Sequence, residues 1–364
     1  MTHAVGMQPL GNAEHHTMTG SIPTEVHFMV RRPMFRRFAM QRQLAVLSVL
    51  LFSLSYALAE GEGVFKNVFW QPNELQQGSV MFFTVELEKP ARRVSGTLLG
   101  KELRFFRGAK AEVWYALGGV DMEAAPGSSD LVVRAVSANG RVSRTTKKVD
   151  VGSGNFKEGT VEVAQNFVTP DEAAKKQIAA DQGLKDRAYA HLIATPQWSG
   201  EFIKPVAAPA TDSFGMTRVY NEELTSQHRG TDFPVKEGAA VVASNAGTVV
   251  LASELFYEGN CVIVDHGQHF TTIYMHLSKI EVKVGERVKK EQRVGLSGAT
   301  GRVTGPHLHM GVRWNGAYLD PTKLVALTLP ETHVAAVGKG TERKASGRSH
   351  RAASSHTRSR SRSR

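Results

Sequence analysis

The sequence predicts a mainly β protein in which two β-rich regions are joined by a helical linker. Short runs of β-branched and aromatic residues recur through residues 62–151 and again through 240–314, with Gly, Pro, Asn and Ser between them. Regularly spaced short strands with turn signals are typical of β-sandwiches and antiparallel sheets. The stretch between these regions carries helix signals instead. A chain of 364 residues has room for two domains and tails.

Residues 1–59 have the features of an extension that ends in a secretory signal peptide. Five arginines precede an apolar run at 44–54, and the run leads to Ala57-Leu-Ala59. A basic region, a short apolar region and an A-x-A site predict cleavage after Ala59. A transmembrane anchor is the alternative, but the apolar run is shorter than the roughly 20 residues that span a bilayer. We therefore expect export, with no stable membrane anchor after cleavage.

Residues 60–152 are predicted to form an immunoglobulin-like β-sandwich. Strand-like runs occur at 64–70, 80–87 and 130–136. The region contains no histidine and no catalytic constellation, so we interpret it as a module that positions or occludes the other domain. Carbohydrate binding through Trp70 or Trp114 is the alternative.

The linker, residues 153–200, is predicted to contain one helix. Thr169 can cap its first turn, Pro170 suits the first helical position, and Glu172 completes a capping box. We expect this helix to run to about Ile193 and to pack between the two domains.

Residues 201–330 are predicted to form an antiparallel β-sheet. Strand-like runs occur at 240–243, 247–252, 261–264, 270–276, 294–296 and 307–314. Asn315-Gly316 predicts a type I′ hairpin turn. The glycine-rich stretch 297–305 lacks the lysine and helix of a phosphate-binding loop, so we interpret it as a cleft wall. Cys261, the only cysteine, lies in an apolar run and is expected to be buried and inert.

The positive charge of the chain is confined to its ends. The formal net charge is +11, and residues 1–43 and 338–364 account for all of it. The folded body is therefore neutral, which argues against a nucleic-acid partner. The tail, 331–364, is rich in Ser, Arg and Gly and is expected to be disordered, with weak binding to anionic envelope polymers as one role and simple solvation as the other.

Five metal-binding or proton-handling side chains follow one another in the second β region. They are His228, Asp232, His276, His307 and His309. A catalytic zinc site takes three ligands from imidazole nitrogen and carboxylate oxygen and leaves a fourth position open. Residues two apart on a strand share a face, so His307 and His309 should point into one cleft.

These residues and their surroundings resemble the zinc metallopeptidase family M23, the lysostaphin-like, LytM-type group of cell-wall endopeptidases. The resemblance rests on five segments: Phe-Gly-Met-Thr-Arg218, His228-Arg-Gly-Thr-Asp232-Phe, Val264-Asp-His-Gly, Tyr274-Met-His276-Leu-Ser and Thr304-Gly-Pro-His307-Leu-His309. It covers roughly residues 205 to 322.

The resemblance implies roles for individual residues. His228, Asp232 and His309 would bind one Zn²⁺ per chain, and such a site polarises a carbonyl and lowers the pKa of bound water to roughly 7. His276 and His307 would be catalytic and handle protons, because the chain has no His-Glu-x-x-His motif to supply a glutamate base. Four further residues are candidates for substrate binding: Arg218, Asn221, Tyr274 and His266. Tyr274 is expected to share the face of His276, and His266 belongs either to its turn or to the site.

The implied function is an exported zinc metalloendopeptidase that hydrolyses cross-links or stems of peptidoglycan in the periplasm or cell envelope. A D-Ala to meso-diaminopimelate bond is favoured over a pentaglycine bridge. Two alternatives stay open. One is a non-enzymatic LytM-type regulator of another wall hydrolase, although such regulators usually lack a metal or catalytic residue and this chain lacks none. The other is an extracellular peptidase that acts on proteins.

Overall fold

The computed structural model describes residues 63–331 apart from Leu192 and Asp212. Within this range the fold is mainly β, with a β-sandwich, a helix-containing linker and an antiparallel sheet in that order, as predicted. The expected signal peptide and basic tail lie outside the described residues. Neither α-helix of the described range combines the length and apolar composition needed to cross a bilayer. The domain limits drawn from the sequence stay predictions.

Two sheets form the N-terminal sandwich. Its strands are β1 (Phe65–Gln71), β2 (Leu75–Gln76), β3 (Val80–Leu87), β4 (Ala91–Leu98), β5 (Lys101–Arg104), β6 (Phe106–Arg107), β7 (Val113–Gly119), β8 (Gly127–Ser137) and β9 (Val142–Gly152). One sheet has the order β1-β3-β7-β6 and the other β2-β9-β8-β4-β5. Trp114 is buried between them, and the Arg107 guanidinium covers its ring at 5.1 Å. The alternative of carbohydrate binding through Trp114 is therefore wrong.

The linker holds strand β10 (Glu158–Val161), a short 3-10 helix (Gln165–Phe167) and helix α1 (Glu172–Ala190). The predicted cap at Thr169 is wrong, since its hydroxyl donates to the Gln165 carbonyl. The helix begins two residues later because the Asp171 carboxylate accepts from the Ala174 backbone N–H at 2.7 Å, and this contact caps the first turn.

Helix α1 packs against the C-terminal region, so the expectation that it lies between the two domains is wrong. Asp181 accepts from the Phe256 backbone N–H at 2.7 Å, and Lys185 forms an ion pair with Glu258 at 2.5 Å. Phe256 and Glu258 lie in the turn between two strands of the C-terminal sheet, Gly247–Leu255 and Gly259–Asp265. Ala188 lies in a hydrophobic cluster with residues of that sheet, so the helix covers one of its faces.

The C-terminal region is built from eleven strands and one short helix. They are β11 (Thr217–Tyr220), β12 (Leu224–Gln227), β13 (Gly230–Phe233), β14 (Ala240–Val242), β15 (Gly247–Leu255), β16 (Gly259–Asp265), β17 (Phe270–Ile280), β18 (Arg287–Val288), β19 (Arg293–Ser297), β20 (Leu308–Trp314), β21 (Ala317–Leu319) and α2 (Pro321–Val325). Nine of the strands form one sheet with the main order β13-β20-β17-β16-β15-β18. Strands β11 and β12 form a separate small sheet, to which the linker adds β10 in parallel with β11.

The hairpin β20–β21 joins the nine-stranded sheet to the sandwich. Asn315 and Gly316 have φ values of 44° and 86°, which confirms the predicted type I′ turn. The Met122 backbone N–H donates to the Tyr318 carbonyl at 3.1 Å. Gly119 packs so closely that a Cβ there would lie 2.8 Å from Leu319. The sandwich and the sheet therefore share one hydrophobic core.

Candidate active site

The pairing of three strands places the site on one face of the large sheet. Asp232 on β13 is the cross-strand partner of His309 on β20, and His309 lies opposite Met275 on β17. Directly opposed residues of antiparallel strands project to the same face. Asp232 and His309 are therefore neighbours, and His228 joins them from the residues just before β13.

The three side chains converge through one atom each. His228 Nε2 lies 2.8 Å from His309 Nδ1 and 3.1 Å from Asp232 Oδ1, and His309 Nδ1 lies 3.0 Å from the same oxygen. Zinc ligands at about 2.0 Å in tetrahedral directions are roughly 3.3 Å apart. Two imidazole nitrogens and one carboxylate oxygen at this spacing fit a zinc ion that keeps a fourth position open.

Neighbouring groups orient each of these donors. The Ser213 carbonyl accepts from His228 Nδ1 at 2.7 Å, which leaves the Nε2 lone pair for the metal. Arg218 donates to Asp232 Oδ2 at 2.6 Å, so Oδ1 is the oxygen that points into the cluster. Gly230 makes room for the His309 ring, because a Cβ at residue 230 would lie 2.4 Å from His309 Nε2.

The surroundings also select the protonation states that metal binding requires. Burial lowers the pKa of His228 to about 4, against the opposing effect of Asp232. Burial acts to raise the pKa of Asp232, but its hydrogen bonds with His228 and His309 outweigh burial and hold that pKa well below its usual range. At neutral pH the site thus presents a neutral imidazole beside an ionised carboxylate.

His276 and His307 lie next to this cluster with their ring nitrogens oriented alike. The Thr300 carbonyl accepts from His276 Nδ1 at 2.9 Å, and the Gly305 carbonyl accepts from His307 Nδ1 at 2.8 Å. Nε2 is thereby left as the reactive nitrogen of each ring. The two ring centroids are 4.9 Å apart, and His307 Nε2 lies 3.6 Å from Asp232 Oδ1. Burial lowers the pKa of His276 to about 3, so this ring is neutral at neutral pH.

A groove runs across the cluster. One cavity of about 460 Å³ borders His228 and His309, with helix α1 as one wall. A second cavity, of about 410 Å³, borders Asp232 and His307. Its wall includes residues 302–306 of the glycine-rich loop, which agrees with the interpretation of that loop as a cleft wall.

The expectation that Tyr274 shares the face of His276 is wrong. Tyr274 lies opposite Met310, so it projects into the core, where its hydroxyl accepts from the Ser244 backbone N–H at 2.8 Å. His276 has a left-handed backbone with φ of 61°, which interrupts the alternation of β17. Met275 and His276 therefore both face the groove.

Two further candidates for substrate binding are also displaced from the groove. His266 is fully buried, with its ring nitrogens 2.7 Å from the Ala246 carbonyl and 2.8 Å from Thr272 Oγ1. Asn221 donates to the Val163 carbonyl at 2.9 Å and thereby holds the linker. Neither side chain lines the groove, whereas Arg218 does line it while it orients Asp232.

The burial of His266 predicts a pH-dependent stability. Burial lowers its folded-state pKa to about 4, below the ordinary value near 6.5, so the unfolded chain binds the proton more readily. The contribution of His266 to the free energy of unfolding is therefore fully present above pH 6.5 and is lost as the pH drops from 6.5 towards 4. By linkage, this histidine lowers the free energy of unfolding at pH 5 by about 2 kcal/mol relative to pH 8. Urea unfolding of wild type and His266→Asn at pH 8 and pH 5 should show the smaller pH dependence in the variant. Equal pH dependence of the two proteins would contradict this expectation.

Sequence patterns did not identify the groups that orient the site. The Ser213, Thr300 and Gly305 contacts use backbone carbonyls, which every residue has, so no residue type marks them. Gly230 did carry a signal, since a glycine between two ligand candidates in His228-Arg-Gly-Thr-Asp232 indicates a close approach.

Comparison with known proteins agrees with this geometry. The model of peptidase family M23 matches residues 226–321. The Vibrio cholerae peptidoglycan DD-endopeptidase ShyA is 44% identical over 111 residues, which cover 30% of this chain and 26% of ShyA. The DD-carboxypeptidase/endopeptidase Mpg of Neisseria meningitidis is 38% identical over 29% of this chain and 24% of Mpg. The chain thus aligns with about a quarter of the length of these curated relatives.

A solved structure is matched over a much larger share. The crystal structure of a putative peptidase M23 from Pseudomonas aeruginosa is 30% identical, with a TM-score of 0.54. The match covers 70% of this chain and 96% of that one. It extends well beyond residues 226–321, the segment that holds all five metal-binding and proton-handling candidates. Because the match covers 96% of that structure at 30% identity, and because the family model spans the site, the chain belongs to peptidase family M23.

Proposed function

We propose that the protein is an exported zinc-dependent endopeptidase that hydrolyses peptide cross-links or stems of peptidoglycan. The observation that carries the proposal is the convergence of His228, Asp232 and His309, whose ligand atoms lie about as far apart as two ligands of one zinc ion. His276 and His307 lie beside them in an open groove. The similarity to ShyA, a peptidoglycan DD-endopeptidase, supports the substrate class. We favour the D-Ala to meso-diaminopimelate bond and a periplasmic location.

In the proposed reaction His228, Asp232 and His309 hold one Zn²⁺. When bound, zinc supplies a Lewis acid that activates water and polarises the scissile carbonyl. The protein residues do the positioning: Arg218 holds Asp232, and the Ser213 carbonyl holds His228. Contacts of this kind fix the orientation of the ligating side chains.

His276 and His307 would handle the protons of the reaction. Each ring is anchored through Nδ1 to a backbone carbonyl and presents Nε2 to the groove. One of them would take the proton of the attacking water, and the other would protonate the departing amine or stabilise the developing oxyanion. A neutral ring is needed for the first task, and the lowered pKa of His276 maintains that form at neutral pH.

The test is the incubation of the full chain with isolated sacculi, with and without a chelator, followed by analysis of the released muropeptides. We expect a loss of cross-linked dimers that the chelator abolishes and added zinc restores. The sandwich should be retained, because its removal would expose the core that it shares with the sheet.

Two results would contradict the proposal. Unchanged dimers together with stimulation of a second wall hydrolase would favour the regulator alternative. Unchanged dimers together with chelator-sensitive cleavage of a protein substrate would favour a general extracellular peptidase.

A further inference from the structure

Arg302 is held rigidly in the wall of the groove. It lies on the loop between β19 and β20, and its backbone N–H donates to the Tyr257 carbonyl at 2.9 Å. The guanidinium carbon lies 4.2 Å from the Tyr220 ring centroid and 4.7 Å from the Tyr257 ring centroid. Stacking on two aromatic rings fixes the plane of the guanidinium and leaves its N–H edge as the polar surface.

The carboxylates that line the groove are bound to other cations. Lys185 forms an ion pair with Glu258 at 2.5 Å, and Arg218 holds Asp232 at 2.6 Å. Arg229, another cation of the groove, is paired with Glu123 at 3.1 Å. Among residues 63–331, no acidic group forms a salt bridge with Arg302. Its guanidinium is thus available to an anionic ligand that enters the groove.

Arg302 also lies where a bound substrate has to pass. The two cavities on either side of the metal-binding cluster have four lining residues in common: Arg218, Tyr220, His276 and Arg302. Residues that line both cavities mark the boundary between them. A chain laid across the cluster therefore contacts Arg302 close to the reacting bond.

We propose that Arg302 binds a free carboxylate on the residue next to the scissile amide. The inference rests on the proposed function and narrows it to substrates that carry an unmodified carboxylate at this position, rather than its amide. A guanidinium with a fixed plane can donate two parallel hydrogen bonds to a carboxylate, whereas a carboxamide offers one acceptor and no charge. Arg302 would thus determine specificity and take no part in proton transfer.

The test compares two cross-linked dimers that differ only in whether this carboxylate is free or amidated. We expect the kcat/KM of the wild-type protein for the free form to be at least tenfold higher than for the amide. A factor of this size corresponds to the free energy that hydrogen bonds to a charged group usually contribute. Arg302→Gln should bring this ratio close to one without loss of zinc. Arg302→Lys should give an intermediate ratio, since it keeps the charge and loses the planar fork.

Arg287→Gln is the matched control, because it removes one exposed positive charge outside the groove. It should retain the wild-type ratio. A wild-type ratio near one would overturn the inference, as would an Arg302→Gln variant that keeps the preference. Equal loss of activity on both dimers in Arg302→Gln would assign Arg302 a structural role and overturn it as well.

Binding measurements separate this inference from the proposed function. If the zinc-loaded wild-type protein cleaves neither dimer, hydrolysis of peptidoglycan cross-links is not its function. Calorimetric titration of the same two dimers into wild type and Arg302→Gln then decides the inference alone. A tenfold preference in Kd for the free carboxylate that disappears in the variant would support it, and equal Kd values in the wild type would overturn it.

Discussion

His309→Ala is expected to release the metal and abolish peptide hydrolysis. The side chain supplies one of three donors, and its Nδ1 lies 2.8 Å and 3.0 Å from the other two. Structural zinc sites with four ligands bind with roughly 10–16 kcal/mol, so the share of one ligand is about 3 kcal/mol. The loss should weaken zinc binding by about 10²-fold or more. Competition with a chromogenic chelator gives the affinity, and metal analysis after gel filtration gives the occupancy.

The control for this variant is another histidine of the same region. His269 lies outside the groove and has a φ of 60°, a conformation that asparagine also accepts. His269→Asn should therefore bind zinc with the wild-type affinity and retain activity. Stoichiometric zinc in His309→Ala would show that the ligand set is assigned wrongly.

His307→Ala and His276→Ala should show the opposite pattern, with metal retained and turnover lost. Neither ring belongs to the trio whose donor atoms converge, and each is anchored to a loop carbonyl. General acid–base catalysis contributes about 10²–10⁴-fold to rates, so kcat should fall by that range in each variant. Metal analysis, thermal unfolding and muropeptide release should be measured on the same preparations.

The variants of the two histidines in the His-x-His pair should differ most clearly in zinc content. His307 and His309 lie two residues apart, yet only His309 donates an atom to the cluster. Loss of zinc in His307→Ala would reverse the assignment of the two residues. Full turnover in either His307→Ala or His276→Ala would remove that residue from the proposed reaction.

Local features of the fold were predictable because they depend on neighbours along the chain. The strand Leu308–Trp314 and the turn at Asn315-Gly316 follow from alternation and from a dipeptide that tolerates positive φ. The burial of Cys261 follows from its apolar run in the same way. The start of helix α1 was missed by two residues, because Thr169 and Asp171 are both acceptable caps and the sequence does not rank them.

Errors arose where the tertiary structure overrides alternation. Tyr274 and His276 lie two residues apart and were expected on one face, but the left-handed backbone at His276 turns its ring into the groove. His266 was a candidate because it lies in Val264-Asp-His-Gly, one of the segments that resemble the family. Its burial against Ala246 and Thr272 depends on strands that are distant in the chain, which no local pattern reports.

By itself, the sequence determined which chemistry is available: a mainly β chain with imidazoles and a carboxylate in the order and spacing of a zinc peptidase. Only the tertiary structure decided which atoms meet. The register of β13, β20 and β17 sets Asp232 beside His309, and the loop between β19 and β20 places Arg302 against Tyr220 and Tyr257. The physical reason is that residue types and strand periods are properties of short segments, whereas ångström distances between segments depend on strand register and on packing across the whole core.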